Sequence, residues 1–427
     1  MSEPRLRATT DRLSNFNLIE RLKPILHTIQ FLGYFCLPLN YESQLVGVQS
    51  YGILPFLVAL YAVVNTFLFG FNAVVAHAVQ RQIGLFNVNT LTMIVSGLKP
   101  LINLIHLIYF ATATFAHRRL LQRFQEFDRN FGDHFSKHPN TSGCLWVFVW
   151  HLFLFAASPV CLRIVEYVVM EEVPGADPLS DLSLLILPIL SVWIAAPTVY
   201  YLTLNRLLRF YFRSLHRAIE SDKNLRQHRL RFYYRQFNSL AQVMQLMGDI
   251  FNPFIFFTVL WTMFTLCLSI YFATQVDVLF DSRLDMSGMQ NYFNMGYCVL
   301  QVVVAAVLIL MICVSAITTN EVARQILPSV LSVNPNSVHE FDRFQILCFM
   351  QKIQAQRMWG ASLWRAVPLE RSTLFTLISL VLTYAMLLMK MGHRTRTTGQ
   401  LSLTETCLSI CFISIFIFHC RKALSAI

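Results

Sequence analysis

Charged residues are scarce in this chain. They make up 13% of its 427 residues, whereas 55% are apolar and 36 are phenylalanine. Soluble globular domains usually carry about 25% charged residues. So few charges cannot cover a globule with water-facing groups, which excludes a soluble protein. The composition predicts a polytopic membrane protein.

Signals for secretion and for disulfides are also missing. Residues 1–23 carry five basic residues but no apolar core followed by a small-residue cleavage site, so we expect no signal peptide. Four cysteines lie inside long apolar runs rather than in pairs between turn signals: Cys161, Cys267, Cys298 and Cys313. This placement predicts core thiols and not a disulfide framework.

Catalytic signatures are lacking as well. There is no Gly-rich phosphate loop and no nucleophile with an identifiable base. A seven-span zinc hydrolase needs converging His and acid ligands within its spans, but His106 and His151 are isolated. His134 and His138 have a metal-compatible spacing yet lie in a charged loop without a third ligand. We therefore expect no cofactor, no metal and no enzyme activity.

Long apolar runs are the main feature that is present. A helix needs about 20 apolar residues to cross about 30 Å of hydrocarbon, and seven runs are long enough. They lie at 52–76, 88–116, 144–170, 183–204, 245–274, 293–318 and 372–391. We predict an all-α protein with seven transmembrane helices. Residues 24–39, broken by Gly33 and Pro38, predict an interfacial helix.

Basic residues are unevenly divided between the loops. The N-terminus and the loops 117–143, 205–242 and 319–371 hold 25 of the 34 Lys and Arg residues. The three alternate loops hold only Arg81 and Arg283. Because cytosolic loops carry the positive excess, the pattern predicts a cytosolic N-terminus. A G-protein-coupled receptor, which needs an exterior N-terminus, is disfavoured.

These features divide the chain into five predicted regions. They are a cytosolic N-terminus with the interfacial helix, a six-helix sensing region with cytosolic extensions, a cytosolic assembly region, the last span and an atypical tail. Their bounds are 1–51, 52–318, 319–371, 372–391 and 392–427. In the tail, residues 401–420 are apolar but short. They form an eighth crossing, an interfacial stretch or an incorrect gene-model end.

Two cytosolic segments show helical spacing. Residues 205–242 combine apolar residues with nine bases, which predicts that the fourth and fifth spans continue into the cytosol as helices. RNA or anionic lipid could bind such a stretch, but solvated helix faces and positive-inside anchors are more common. We therefore expect no nucleic acid, and membrane lipid as the partner of this membrane protein. The amphipathic helix near 341–358 predicts a protein partner.

The segment from Gly360 to Met391 carries a motif. It has a small-residue turn, a Leu-acid pair and then Thr-Tyr followed by five apolar residues. These positions are Gly360-Ala361, Leu369-Glu370, Thr383-Tyr384 and Ala385 to Met389. The segment resembles the signature of the insect gustatory receptor family. Two positions depart from it, since Lys390 replaces a Gln and Met391 replaces a Phe.

The resemblance implies a chemosensory subunit of a ligand-gated cation channel, related in fold to insect odorant receptors. Such channels are homo- or hetero-tetramers of gustatory receptor subunits in the plasma membrane of chemosensory neurons. The last helix lines the pore, and a small-molecule tastant binds among the outer halves of the other helices. This chain continues for 36 residues beyond the signature.

The resemblance also implies the residues that line the pore: Thr383, Tyr384, Leu387, Lys390 and Met391. Three of them fall at i, i+4 and i+7, so in a four-fold assembly each would form a ring, and a Leu ring gates by dewetting. Four Lys390 ammonium groups would oppose cations. Either Lys390 points away from the lumen, its pKa falls, the mouth is wide, or the subunit forms no homomeric cation pore. Alternatively, Thr383 bonds its own helix backbone and Lys390 snorkels to the interface.

Polar and aromatic residues within the other spans are candidate ligand contacts, because charge is costly in a membrane and aromatic rings with few hydrogen-bonding groups form small-molecule pockets. The candidates are Asn72, Lys99, Arg163, Glu166, Trp193, Trp261, Tyr271, Tyr297 and Gln301. Arg163 and Glu166, at i and i+3, form a pocket-facing or a structural pair. Lys99 is close in sequence to Asn103 and His106.

A polar kink is predicted at Asp249, Asn252 and Pro253, near the inner start of the fifth span. It is either a gating hinge or a proline break whose freed backbone group is satisfied by the Asn side chain.

Overall fold

The structure is a computed structural model of the whole chain. It describes residues 18–35, 58–68, 70–71, 88–131, 149–150, 153, 157–169, 178–221, 227–274, 288–326, 344, 347–348, 351, 361–363 and 367–398. The described part is almost entirely helical, which confirms the predicted all-α membrane-protein class.

Nine helices can be bounded in this described part. They are α1 (Leu18–Phe31), α2 (Val58–Leu68), α3 (Val88–Thr112), α4 (Thr114–Phe131), α5 (Ser158–Val169), α6 (Pro178–Ser221), α7 (Gln227–Thr274), α8 (Gly288–Arg324) and α9 (Arg371–Thr398). Two short antiparallel strands, β1 (Ser362–Leu363) and β2 (Val367–Pro368), form a hairpin directly before α9.

Helix α7 is the centre of the bundle. It packs against α3, α4, α6, α8 and α9, and also against β1. Helix α6 packs against α1, α3, α5, α7 and α8. The helices α6 and α7 therefore hold together elements from both ends of the chain.

The predicted cytosolic extensions are confirmed as helix. Helices α6 and α7 have 44 and 48 residues, roughly twice the length needed to cross a bilayer. Apolar residues in the extension of α6, including Leu208, Phe212 and Leu215, are fully buried. Burial of this face explains why the segment remains helical despite its many bases.

Not every predicted span has the expected bounds. The run 88–116 was expected to be one span followed by a loop, but α3 ends at Thr112 and α4 begins at Thr114 after a bend of 63°. By length and apolarity, two described helical segments can cross a membrane, Arg231–Tyr271 and Cys298–Arg324; the bent pair makes a third if its two helices form one span. The predicted count of seven and its orientation stay predictions.

The N-terminal helix is also displaced from its expected position. It was predicted at 24–39, but α1 begins at Leu18, contains Pro24 and ends at Phe31. Gly33 has a φ of 80°, a left-handed conformation that glycine adopts without strain and that ends helices. Tyr34, three residues after the end of α1, then donates a hydrogen bond to the carbonyl of Trp193 on α6.

An aromatic cluster marks the junction of α3, α4 and α7. Phe110 is fully buried and contacts the rings of Tyr34, His117, Phe251 and Phe254 at centroid distances of 5.0 to 5.7 Å. The Phe110–His117 pair is stacked and the other three are edge-to-face; aromatic pairs in such arrangements contribute about 0.5–1.5 kcal/mol each beyond area burial. The cluster fixes the relative register of the three helices.

Candidate functional site

The last helix, α9, packs on the rest of the chain along a narrow strip, which we call the buried stripe. It consists of Leu377, Val381 and Ala385, at i, i+4 and i+8 and exposed by no more than 8%. It packs on α7, where the Cys267 thiol lies 3.7 Å from the carbonyl oxygen of Val381.

A polar stripe runs along the opposite side of α9. Residues two apart on a helix differ by about 200° in direction, so Ser379, Thr383 and Leu387 point away from the buried stripe. All members of the polar stripe are exposed: Ser372, Thr376, Ser379, Thr383, Leu387 and Lys390. Hydroxyl groups occupy its first four positions.

A third strip of α9, the apolar flank, is exposed without being polar. Its members follow the same helical spacing and are 41% to 68% exposed: Phe375, Ile378, Leu382 and Met386. The helix thus presents one side to the rest of the chain, one exposed apolar side and one exposed polar side.

The structure places most of the predicted pore residues on the exposed side. Thr383, Leu387 and Lys390 lie on the polar stripe, and Tyr384 is half-buried beside it. The Thr383 hydroxyl donates to the Ser379 carbonyl at 2.8 Å, which is the backbone bond of the alternative interpretation. That bond does not conflict with an outward position. Met391 belongs to the helix, but its side chain lies outside the described residues.

Two ion pairs fasten the start of α9 to the end of α8. Arg371 donates to both carboxylate oxygens of Glu321, at 2.6 and 3.0 Å. Arg324 donates to Glu370 at 3.0 Å. Between them, the amide of Asn320 donates to the Leu369 carbonyl at 3.1 Å.

This ionic clamp was missed by the sequence reasoning. The signal that could have found it is the pair of opposite charges at each end, Glu321 with Arg324 and Glu370 with Arg371. The hairpin was missed too, since two-residue strands have no periodicity to detect.

The predicted role of Asn252 in satisfying the backbone group freed by Pro253 is wrong, whereas the gating hinge stays a prediction. Helix α7 runs through Pro253 without ending. The Asn252 side-chain oxygen accepts the backbone N–H of Ser362 in β1 at 3.0 Å, and both residues are buried. Asn252 therefore holds the hairpin and does not repair the helix.

The backbone carbonyl that Pro253 leaves without its helical donor accepts a hydrogen bond from a residue on α3. Proline has no N–H, so the carbonyl of Asp249, four residues earlier, loses its helical donor. The Tyr109 hydroxyl donates to that carbonyl at 3.3 Å. This contact ties α3 to α7.

The candidate ligand residues fall into two groups, those with buried side chains and those whose side chains lie outside the described residues. Five have buried side chains exposed by 7% or less: Lys99, Trp193, Trp261, Tyr271 and Gln301. Arg163, Glu166 and Tyr297 lie on α5 and α8, but their side chains are outside the described residues, so the predicted Arg163–Glu166 pair stays a prediction. Asn72 and residues 401–420 also lie outside them.

A polar row lies along the buried side of α3, formed by Lys99, Asn103 and His106. All three are exposed by 4% or less. The Nε2 atom of His106 lies 3.3 Å from the Thr258 hydroxyl on α7, and its ring stacks at a tilt on Phe254 with 4.8 Å between centroids. Within the residues that the structure describes, no group of three or more His, Cys, Asp or Glu is placed to hold a metal.

Comparison with known proteins gives three findings. Residues 22–391 match the model of the family described as 7tm chemosensory receptor. The chain is 33% identical over 344 residues to the Caenorhabditis elegans protein named probable G-protein coupled receptor egl-47, and the match covers 78% of this chain. The matched part of this chain spans 66% of the length of that relative.

Solved structures with the same fold are also found. The insect olfactory receptor OR5 from Machilis hrabei in complex with eugenol matches with a TM-score of 0.63 and 12% identity, over 87% of this chain and 97% of that one. A second structure of the same receptor matches with a TM-score of 0.63 and 11% identity, over 88% of this chain and 98% of that one. At this identity the likeness concerns the fold.

Proposed function

Because this chain belongs to the 7tm chemosensory receptor family, we propose that it is a gustatory receptor, a subunit of a tetrameric ligand-gated cation channel opened by a small-molecule tastant. It acts in the plasma membrane of chemosensory neurons, alone or with other gustatory receptor subunits. Its N-terminus is cytosolic and seven helices cross the membrane.

The observation that carries the proposal is the three-sided character of α9. A helix that faced only lipid would have no reason to align hydroxyls opposite its packed side. A helix around a shared axis needs one side for its own protomer, one for a neighbouring copy and one for the lumen. The buried stripe, the apolar flank and the polar stripe supply these three sides.

The polar stripe also suggests how the pore is built. Hydroxyl rings at Thr376, Ser379 and Thr383 would stabilise a partly dehydrated ion, and the Leu387 ring would close the path by dewetting. Lys390 stands one turn beyond Leu387. Four ammonium groups there would repel cations, so Lys390 limits conduction and does not abolish it if the outer mouth is wide.

Cysteine accessibility tests the orientation of α9. Ser379→Cys on the polar stripe and Ile378→Cys on the apolar flank form a matched pair, expressed in cells and recorded under voltage clamp. The stimulus is a panel of sugars, bitter alkaloids, amino acids and carboxylic acids. A cationic thiol reagent should block the evoked current only in Ser379→Cys. Block only in Ile378→Cys would overturn the pore assignment.

A second variant tests Lys390. Lys390→Gln should raise the permeability to cations relative to chloride, because a ring of positive charge is removed. If neither form gives current with surface delivery confirmed, the homomeric channel fails. A mass measurement on purified protein should find four copies per particle.

G-protein coupling is the second candidate, favoured by the name of the Caenorhabditis elegans relative. A non-hydrolysable GDP analogue in the recording pipette separates the two. A direct channel keeps its evoked current, whereas loss of the current would favour the receptor that acts through a G protein.

A further inference from the structure

We propose that the polar row of α3, together with donors on α6 and α7, is a binding site for a small molecule that carries a carboxylate on an apolar body. This inference rests on the proposed function in one respect, since the molecule would be the stimulus of the receptor. The site itself can be tested without recording a current.

Lys99 is the first reason. Its side chain is only 4% exposed, and an ammonium group is costly at such a position in a membrane protein unless it is paired. Among the residues that the structure describes, no carboxylate forms an ion pair with it, and no hydrogen bond to it is found. An unpaired buried cation is the arrangement expected where an anionic partner comes from outside the chain.

The register of α3 against α7 is the second reason. The His106–Thr258 contact and the bond from Tyr109 to Asp249 show that the two helices run antiparallel. Along α3, His106 and Lys99 are seven residues apart, which corresponds to about 10 Å. The same distance along α7 from Thr258 reaches Thr265. Counted from the Tyr109–Asp249 bond, the matching position is Val259. Lys99 therefore lies at the level of the α7 segment from Val259 to Thr265, which contains Trp261.

Buried groups without partners gather on this part of α7. The Trp261 ring N–H and the hydroxyls of Thr265 and Ser269 are buried, and within the described part of the chain none of them has a hydrogen-bond partner. They follow one another at i, i+4 and i+8, so they share one side of α7. A buried polar group without a partner is unusual in a native protein and calls for an explanation.

Helix α6 contributes a further donor. Tyr201 contacts Phe254, which itself contacts His106. Trp193 lies eight residues from Tyr201, about 12 Å along the helix in the direction of the predicted outer side, and so near the level of Trp261. Its ring N–H is buried and, in the region described, has no partner, while the ring packs against Tyr61 at 5.1 Å.

The chemistry of these groups selects the ligand. Lys and the Trp ring N–H only donate hydrogen bonds, and Thr and Ser can donate. A set dominated by donors needs an acceptor, and a carboxylate both accepts several hydrogen bonds and neutralises the ammonium. Aromatic side walls at Trp193, Trp261 and Tyr61 fit an apolar body. A sugar or a neutral alcohol would leave the Lys99 charge unpaired.

Binding to purified full-length protein in lipid nanodiscs tests the site. The probes are matched pairs of acid and amide: hexanoate with hexanamide, benzoate with benzamide and phenylacetate with phenylacetamide. We expect at least one acid to raise the unfolding temperature of the wild type at concentrations at least tenfold below those its amide requires. If none of the three acids shows this tenfold advantage over its amide, the proposal is overturned.

Substitutions then assign the preference to Lys99. Lys99→Met should abolish the tenfold preference for the acid and leave binding of the amide unchanged. Lys99→Arg should retain part of the preference for the acid. Lys23→Met, the same change at an exposed position of α1, should behave as wild type. Trp261→Phe, which keeps the ring but loses the donor, should weaken acid binding several-fold. Retention of the preference in Lys99→Met would refute the site.

Stability without ligand separates a binding role from a structural one. Removing an unpaired buried charge should raise the unfolding temperature of ligand-free Lys99→Met, whereas a drop would show that Lys99 is a structural partner. The two proposals can fail independently. Acid binding without current from the chain expressed alone leaves the site and ends the homomeric channel. A current that the acid evokes equally in wild type and Lys99→Met leaves the channel and ends the site.

Discussion

Arg371 and Glu321 form a two-pronged ion pair that joins the first residue of α9 to the last turns of α8. The guanidinium and the carboxylate meet through two bonds of 2.6 and 3.0 Å. The neighbouring pair of Arg324 and Glu370 crosses the same junction in the opposite sense. The start of the proposed pore helix is thus fixed to α8 by four charges.

Charge reversal at this junction should loosen it, and double reversal should restore it. Glu321→Arg and Arg371→Glu each place like charges together, so amide hydrogen exchange of residues 367–374 should accelerate. The double variant should return to the wild-type rate. Because both side chains are well exposed, the unfolding temperature should hardly change and high salt should reduce the effect. Equal exchange in all four proteins would show that the pair does not hold α9.

Asn252 should stabilise the hairpin measurably. Asn252→Ala removes the side-chain oxygen that accepts the buried Ser362 N–H, which costs about 1–3 kcal/mol. Urea unfolding of purified protein and hydrogen exchange at β1 are the measurements. Gln242→Ala is the matched control, because it removes an amide from an exposed position of the same helix. A loss no larger than in this control would contradict the role of Asn252.

Tyr109 should matter only while Pro253 is present. Tyr109→Phe removes the bond to the Asp249 carbonyl, which contributes about 0.5–1.5 kcal/mol. Pro253→Ala supplies a helical N–H to the same carbonyl, so the cost of Tyr109→Phe should shrink in that background. A double-mutant cycle on the free energy of unfolding gives the coupling. Additive costs would mean that the two residues act separately.

Alkaline pH should weaken the packing of α4 on α6 through Tyr211. This residue lies outside the predicted spans, and its hydroxyl donates to the Asp128 carboxylate at 3.1 Å. Burial, and then the Asp128 charge and hydrogen bond, raise the pKa of Tyr211 well above its ordinary value of 10.0. Its stabilising effect is complete below the unfolded-state pKa and is lost as pH rises toward the folded-state pKa.

Tyr211→Phe tests this dependence. The variant should be less stable than wild type at neutral pH by about 1.5–3 kcal/mol, the usual range for a hydrogen bond to a charged group. The difference should narrow above about pH 10, where the unfolded tyrosine ionises. Unfolding temperatures across that range are the measurement, and a constant difference would argue against the assignment.

The features that could be predicted from the sequence are those with a repeating pattern. Apolar runs and helical spacing indicated the all-α membrane class and the extensions of α6 and α7, and both are confirmed. The motif around Thr383 and Tyr384 indicated the chemosensory receptor family, which the family match confirms.

Features that depend on long-range contact could not be predicted. The Asn252–Ser362 bond joins residues 110 positions apart, and nothing local in GDIFNP reveals its partner. The break between Thr112 and Thr114 interrupts a run that remains apolar, so hydropathy alone extended the span. Lys99 was recognisable as a costly charge, but its level relative to Thr265 depends on the packing of α3 on α7.

The unbroken length of α7 has a mechanical consequence. Its 48 residues form a rod of about 72 Å, and Tyr109 supports it at the one place where proline would weaken it. A tilt of about 5° would move the far tip by about 6 Å at that length. Helix α7 can therefore work as a lever, so that a small displacement beside Trp261 becomes a larger one toward the far end of the helix at Gln227.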